Sequence, residues 1–364
     1  MIRRGIVASG LTLVVVSTTA CGAIDSIRGG GDDGGDFSIS ATLAQVPATD
    51  LEEYTVRVAD VDAATEAAGL ERPDDPGDED ATAQWLAPLT GMPSRDGYAP
   101  VPLLLPEPTT NSMHKMAEFD DIAGWSLVDV ASYADIPEVP APFTYIAGDV
   151  DEDTLAHLPE VGDGVRTVGE GEDRDHRLSK TTPVQTTGAP VRMAQRDGQL
   201  AVSASTDAVK DWLTGPSEPI TADPKVSNLA GALDEAGAVS ALMAVGHDFS
   251  VGSFPAPAEA YGPLPRAEYD AVALGWSADE GKPVVTIVYH FADPATASDS
   301  VESLRAVFED GRDSRGARLS DSLALEEITA QDTVVTATLS TTKDGAHVHL
   351  VSQLRQRDAP FVHG

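Results

Sequence analysis

Short runs of β-branched and apolar residues, each followed by an Asp or Ser and then by a helical pattern, recur along the chain. Asp60 and Asp149 follow two such runs, with matching residues on either side, while Ser205 and Asp293 follow two more. β-branched residues favour strands, and Asp or Ser accepts hydrogen bonds from the free N–H groups of a helix start. The pattern therefore predicts four strand-cap-helix units, spanning 54–65, 143–154, 200–213 and 284–308.

Three further pairs of apolar runs surround turn residues and predict β-hairpins. They are 192–196 with 200–203, 272–276 with 284–288, and 334–339 with 347–350. The first pair encloses Asp197-Gly198, which is a strong hairpin signal. Together with the helices, these hairpins predict an α+β fold with mixed, mainly antiparallel sheets and helices on one face.

Pro-rich stretches interrupt these patterns and indicate the domain organisation. The segment 250–266 contains four prolines and reads as a linker between an α+β domain at 37–249 and a smaller α+β subdomain at 267–364. The similarity between the strand-cap-helix units predicts that the two halves are related. A long excursion within one domain is the alternative for 250–266.

The first 20 residues have the pattern of an export signal. Arg3 and Arg4 precede an uncharged stretch from Gly5 to Ala20 that contains several Ser and Thr. This stretch is too short and too polar for a permanent membrane span, which needs about 20 apolar residues. We therefore expect residues 1–20 to be a signal peptide, with the general and the twin-arginine export routes both open.

The residues that end this segment, Thr18-Thr19-Ala20-Cys21, resemble the lipobox of bacterial lipoproteins. Thr18 departs from the Leu or Val that is usual there. The resemblance implies cleavage before Cys21, acylation of its thiol and attachment to the outer face of the cell membrane, with palmitate among the chains expected. Cys21 is the only cysteine of the chain, so no intrachain disulfide can form. Residues 21–36 then read as a lipidated, Gly-rich tether with a reach of about 20 Å.

The charge balance narrows the possible partners. Removing Arg3 and Arg4 with the signal leaves 24 − 2 = 22 basic residues against 59 acidic ones, a net charge of −37. Such a charge repels phosphate backbones, so we expect no nucleic-acid partner. The acids are scattered along the chain, and simple solubility explains most of them.

One short pattern raises the possibility of catalysis. Ser112-Met-His-Lys115 matches the Ser-x-x-Lys of penicillin-binding proteins and serine β-lactamases. Those enzymes also need a Lys-Thr-Gly strand, and Lys180-Thr181-Thr182 lacks the glycine. An envelope hydrolase that uses Ser112 and Lys115 therefore stays an alternative, and we expect the protein not to be an enzyme.

Two groups of residues are weak candidates for metal ligands. If His347 and His349 lie on a strand, they face the same side, and His290 or His363 supplies a third ligand for zinc. A calcium loop is the second candidate, with Asp149, Asp151, Asp153 and Glu160 at positions 1, 3, 5 and 12 of its template. Thr154 occupies the position that needs glycine, and helix capping explains the same acids. We therefore expect no metal and no other cofactor.

The body of the chain resembles uncharacterised cell-envelope lipoproteins of high-GC Gram-positive bacteria. The resemblance rests on the export signal, the acidic Ala/Val/Asp/Gly-rich composition and the helix ends at Trp85-Leu86 and Trp212-Leu213. It implies no catalytic residues. The sequence thus predicts a membrane-tethered, non-enzymatic protein that binds an unknown envelope ligand or protein partner, or helps to organise the envelope.

Overall fold

A computed structural model describes residues 37–95, 97–140, 142–251 and 257–364. Cys21, the signal peptide and the tether lie outside these residues. Within them, the twelve strands form one sheet. The strands are β1 (Tyr54–Asp60), β2 (Val130–Ile136), β3 (Phe143–Gly148), β4 (Glu160–Gly162), β5 (Val165–Val168), β6 (Val191–Arg196), β7 (Gln199–Ser203), β8 (Ser240–Val245), β9 (Ala271–Asp279), β10 (Lys282–His290), β11 (Leu323–Gln331) and β12 (Val334–Thr341).

The helices of the described residues vary from one turn to nearly five turns. They are α1 (Ile39–Leu43), α2 (Val61–Ala67), α3 (Glu79–Leu89), α4 (Glu107–Thr110), α5 (Met116–Ala123), α6 (Thr206–Leu213), α7 (Pro224–Glu235), α8 (Ala258–Tyr261), α9 (Pro294–Asp310) and α10 (Ala346–Arg355).

The strand order in the sheet is β11-β12-β10-β9-β8-β1-β2-β3-β7-β6-β5-β4. Each neighbouring pair is antiparallel, and β8 pairs directly with β9 on the far side of the predicted 250–266 segment. The expected α+β class with a mainly antiparallel sheet is therefore confirmed.

Helices cover both faces of the sheet, so the expectation of helices on one face is wrong. On the front face, α2, α3, α5, α9 and α10 pack against side chains that include Leu242 and Leu274. On the back face, α1, α6 and α7 pack against side chains that include Met243 and Ala273. The reason lies in the central strands. Every residue of β8 is buried, and a strand that is apolar on both sides needs a cover on both sides.

Three of the four predicted strand-cap-helix units are confirmed. Asp60, Ser205 and Asp293 accept backbone hydrogen bonds at the starts of α2, α6 and α9. No helix follows Asp149, where the prediction is wrong and residues 152–157 form turns. There, the side chain of Gln195 accepts a hydrogen bond from the Leu155 N–H and donates to the carbonyls of Asp151 and Glu152. These bonds satisfy backbone groups that a helix would otherwise satisfy.

Two of the three predicted hairpins are confirmed. Asp197 and Gly198 have φ angles of 50° and 73° in the turn between β6 and β7, and Glu280 and Gly281 have 48° and 77° between β9 and β10. Two successive positive φ angles are typical of the type I′ turn that joins such strands.

The third predicted hairpin is wrong, because residues 346–355 form α10 and β12 pairs with β11 and β10 instead. Ala346, Leu350 and Leu354 are buried at helical spacing. The alternation of His and apolar residues at 347–350 is too short to distinguish a strand from a helix, and the longer apolar series decides for the helix.

Arg192 holds the long loop between β5 and β6 in place. It is 4% exposed on β6, and its guanidinium donates to Asp173 Oδ1 (2.8 Å), Thr206 Oγ1 (3.1 Å), Thr167 Oγ1 (2.6 Å) and Gly171 O (2.8 Å). The planar fork of arginine suits such a set of acceptors. One side chain therefore connects the loop to the sheet and to the start of α6.

Replacing Arg192 with Met should lower the free energy of unfolding by about 3 kcal/mol, because Asp173 loses its charged partner and four hydrogen bonds disappear. Urea unfolding followed by circular dichroism measures the change. Arg315→Met, at an exposed position, is the control and should change stability by less than about 0.5 kcal/mol. Equal losses in the two variants would contradict this role for Arg192.

Candidate functional site

The Ser112 hydroxyl and the Lys115 ammonium are not arranged for nucleophilic catalysis. Ser112 is 3% exposed, and its hydroxyl donates to the Thr109 carbonyl at 3.0 Å. Lys115 is exposed, and its Nζ lies 3.4 Å from a Glu118 carboxylate oxygen. A serine nucleophile needs a base within hydrogen-bond reach and access to substrate. In this structure the hydroxyl is bonded to the backbone instead.

The structure nevertheless brings the two segments around the predicted Ser-x-x-Lys and Lys-Thr elements to one place. Asn111, Lys115 and Glu118 line one side of an open groove with a volume of about 480 Å³. Thr181, Thr182, Pro183 and Thr186, from the loop between β5 and β6, line the other side. We call this the polar groove.

Several side chains of the polar groove have unused hydrogen-bonding capacity. Asn111, Thr181 and Thr186 are exposed, and their side chains make no hydrogen bond to the described part of the protein. Lys115 and Glu118 neutralise each other, so the groove carries no strong net charge. The arrangement offers both donors and acceptors to a ligand and lacks a large apolar floor.

Sequence reasoning missed Asn111, Glu118 and Thr186. The signal available was indirect. Asn111 adjoins Ser112, and Thr186 follows Lys180-Thr181-Thr182, but nothing in the sequence indicates that residues 111–118 and 181–186 meet.

The predicted zinc ligands do not converge. His290 lies at the end of β10 on the back face, where its Nδ1 is 2.7 Å from Asp270 Oδ1. His347 lies in α10 on the front face, where its Nε2 is 2.8 Å from the Ala99 carbonyl oxygen. His363 packs edge-on against Tyr269, with ring centroids 5.3 Å apart. The prediction that His347 and His349 face the same side, with His290 or His363 beside them, is therefore wrong.

The change from strand to helix explains why His347 and His349 separate. Two residues apart on a helix, they point about 200° apart around the axis. His347 is buried and His349 is exposed. Burial lowers the pKa of His347, while the hydrogen bond to the Ala99 carbonyl opposes that shift.

The predicted calcium ligands are also dispersed. Asp151 and Asp153 are exposed between β3 and β4, and Asp149 donates its backbone N–H to the Asp129 carbonyl. Glu160 lies on β4, with a carboxylate oxygen 3.7 Å from Arg166. Among the residues that the structure describes, no three His, Cys, Asp or Glu side chains are grouped to hold a metal ion.

A buried polar centre lies on the front face between β1 and β2, where the register places Arg57 opposite Asp135. Asp135 is completely buried, with one oxygen 3.9 Å from an Arg57 nitrogen and 3.2 Å from the Glu107 N–H nitrogen. Its other oxygen is buried without a hydrogen-bond partner in the described structure, and so is Oε2 of Glu138. Sequence analysis did not single out any of these residues.

Burial raises the pKa of Asp135 to about 7, and Arg57 lowers it by less than burial raises it. The carboxylates of Glu107 and Glu138 raise it further, while the hydrogen bond from the Glu107 N–H opposes them. Burial also raises the pKa of Glu107, again opposed by Arg57. The centre therefore contains more negative charge than its arginine neutralises.

Comparisons with known proteins give little further information. No family model and no curated protein sequence matches the chain. Crystal form I of TP0453 matches with a TM-score of 0.40 and 9% identity, over 86% of this chain and 98% of that one. Crystal form III matches with a TM-score of 0.39 and 9% identity, over 85% and 97%. These values assign neither a family nor a function.

The helices of the described residues include none that is both long and apolar enough to cross a membrane.

Replacing Asp135 with Asn should change how stability depends on pH. An Asp whose pKa rises from 3.8 to about 7 on folding is favoured in its protonated form, so ionisation opposes folding. The unfolding free energy of the wild type, relative to D135N, should fall by up to about 1.4 kcal/mol per pH unit from pH 4 to 7. It should then level off.

Urea unfolding at pH 4 to 9 measures this difference. Asp153→Asn, at an exposed turn, is the matched control, and its difference from the wild type should stay nearly constant. A constant difference for D135N as well would show that Asp135 does not titrate in this range.

Proposed function

We propose that the protein is an exported lipoprotein, cleaved before Cys21 and held on the outer face of the cell membrane by lipid on that cysteine. The position of the lone cysteine, directly after an export-type segment, supports this location. The glycine-rich sequence of residues 21–36 supports their proposed role as the tether between Cys21 and the body of the protein. Two related subdomains at 37–249 and 267–364 stay a prediction.

We further propose that the body is a non-enzymatic binding protein and that the polar groove takes an uncharged, hydroxyl-rich ligand such as a saccharide. The observation that carries this proposal is the set of uncommitted side chains at Asn111, Thr181 and Thr186. Amide and hydroxyl groups match the alternating donors and acceptors of a sugar. The pairing of Lys115 with Glu118 disfavours a strongly charged ligand.

The geometry disfavours the hydrolase alternative. A covalent intermediate would require the Ser112 hydroxyl to leave the Thr109 carbonyl and reach the solvent, since the side chain is 3% exposed. The exposed ammonium of Lys115 would then have to leave the carboxylate of Glu118 and move next to the Ser112 hydroxyl. A ligand that only occupies the groove requires neither change.

Cys21→Ser should abolish lipid attachment, because the thiol is the group acylated in the lipoproteins that the signal resembles. Metabolic labelling with an alkyne fatty acid and detergent phase partition measure attachment. The wild type should be labelled and enter the detergent phase, whereas C21S should be unlabelled. Ser26→Ala, in the same segment, should behave as the wild type. Unlabelled wild-type protein, or labelled C21S, would reject the anchor.

Asn111→Ala combined with Thr186→Ala should weaken saccharide binding about tenfold, because two hydrogen bonds contribute roughly 1.4 kcal/mol together. Chemical-shift titration with maltotriose and with triacetylchitotriose is the measurement, and we expect at least one probe to bind the wild type. Thr187→Ala, at an exposed residue that does not line the groove, is the matched control. Absence of binding by both probes, or equal affinities in all variants, would reject the groove as a saccharide site.

A further inference from the structure

Residues 101–106, between α3 and α4, pass over strands β8, β1 and β2 on the front face of the sheet. We call this segment the strap. Val101, Leu103 and Leu105 are 0, 3 and 5% exposed, so the strap forms part of the front core. It has neither helical nor strand structure, and two of its six residues are prolines, which lack an N–H.

Side chains from three adjacent strands hold the strap by its carbonyl groups. Ser240 on β8 and Arg57 on β1 each donate to a strap carbonyl at 2.8 Å, and the Tyr133 hydroxyl on β2 donates to a third. A backbone bond from the Leu103 N–H to Leu89 O adds to these. These are individual bonds between separate groups, so the strap can leave the sheet without breaking a strand ladder.

The end of the strap lies on the buried polar centre. The N–H of Glu107, the first residue after the strap, donates to Asp135, and Arg57 connects the strap to the same carboxylate. The unpartnered oxygens of Asp135 and Glu138 lack any donor in the described structure. When Asp135 is charged, the closed strap therefore leaves a carboxylate incompletely solvated.

We propose that the strap is a movable cover over the centre of the sheet, held closed when Asp135 is neutral and released when Asp135 ionises. Release would admit water to the two unpartnered carboxylate oxygens and would expose the apolar surface of the central strands. This device is independent of the polar groove and of the lipid anchor.

The charged and titratable groups around Asp135 determine the direction of the effect. They are Arg57 on β1, Tyr133 on β2, Glu107 after the strap, Glu138 after β2, and Arg355 on α10, which interacts with Arg57. Burial holds the pKa of Asp135 at about 7 in the closed state. Water around an open strap returns that pKa towards 3.8, so opening releases one proton.

The population of the open state should consequently rise up to tenfold per pH unit between about pH 4 and 7 and stay constant above pH 7. The strap should therefore open more often as the pH rises, and acidification should not open it. Neutralising Glu138 removes a charge that raises the pKa of Asp135, so the rise should then end at a lower pH.

The lone cysteine makes a site-specific test possible. In the full mature chain with Cys21→Ser, Leu103→Cys places a single thiol on the strap, where the native side chain is 3% exposed. Leu274→Cys, with 0% exposure on β9 in the same core, reports global unfolding through the same type of substitution. Thr187→Cys, at an exposed site, supplies the intrinsic reactivity of the thiol at each pH.

Labelling with a disulfide reagent from pH 4.5 to 8.5, divided by the rate at Thr187→Cys, is the measurement. Leu103→Cys should react at least tenfold faster than Leu274→Cys, with a rate that rises towards pH 7 and then levels off. Asp135→Asn should remove that rise, and Glu138→Gln should shift its end to lower pH. Both variants are first checked for a native melting transition.

Two results would overturn the proposal. Equal rates at Leu103→Cys and Leu274→Cys would mean that the strap opens only when the whole protein unfolds. A pH profile that is the same in the wild type, D135N and E138Q would mean that Asp135 does not control the strap. If D135N does not fold, the E138Q profile alone decides, because it tests the same charge from a half-buried neighbour.

Discussion

The burial of the central strands on both faces is the constraint on which the rest of the structure depends. β8 lies near the middle of a twelve-stranded sheet and has no exposed residue, so both faces must be covered at the centre of the sheet. Antiparallel sheets commonly leave one face in water, but an apolar side chain on each side of a strand removes that possibility. The helices and the strap follow from this requirement.

The strap shows how the covering is completed where helices do not reach. Helices pack against a sheet as stiff cylinders and leave gaps between them, whereas an extended chain can lie flat in a gap. The strap fills such a gap with Val101, Leu103 and Leu105, and the strands below supply donors for its carbonyls. The apolar requirement of the sheet and the hydrogen-bonding requirement of the backbone are met at the same place.

Features of the fold that depend on residues close in sequence could be predicted, whereas features that depend on long-range packing could not. The Asp197-Gly198 turn and the cap at Asp60 depend on residues close in sequence, and both are confirmed. The alternation at 347–350 is too short to distinguish a strand from a helix, whereas the failure at Asp149 has a distant cause, the side chain of Gln195 on another strand. The polar groove and the Arg57–Asp135 centre were missed for that reason, since each joins residues many positions apart.

Stability alone does not account for the Arg57–Asp135 centre. Removing a carboxylate from water costs several kcal/mol, and an arginine nitrogen 3.9 Å away restores only part of that. Well-packed apolar residues in the same place are often as stable or more stable. Asp135 also lies near two other carboxylates, those of Glu107 and Glu138, which increase the free-energy cost of its ionised form. A group that weakens the closed state as it ionises, at the point where the strap ends, is better explained by control of that strap than by support of the fold.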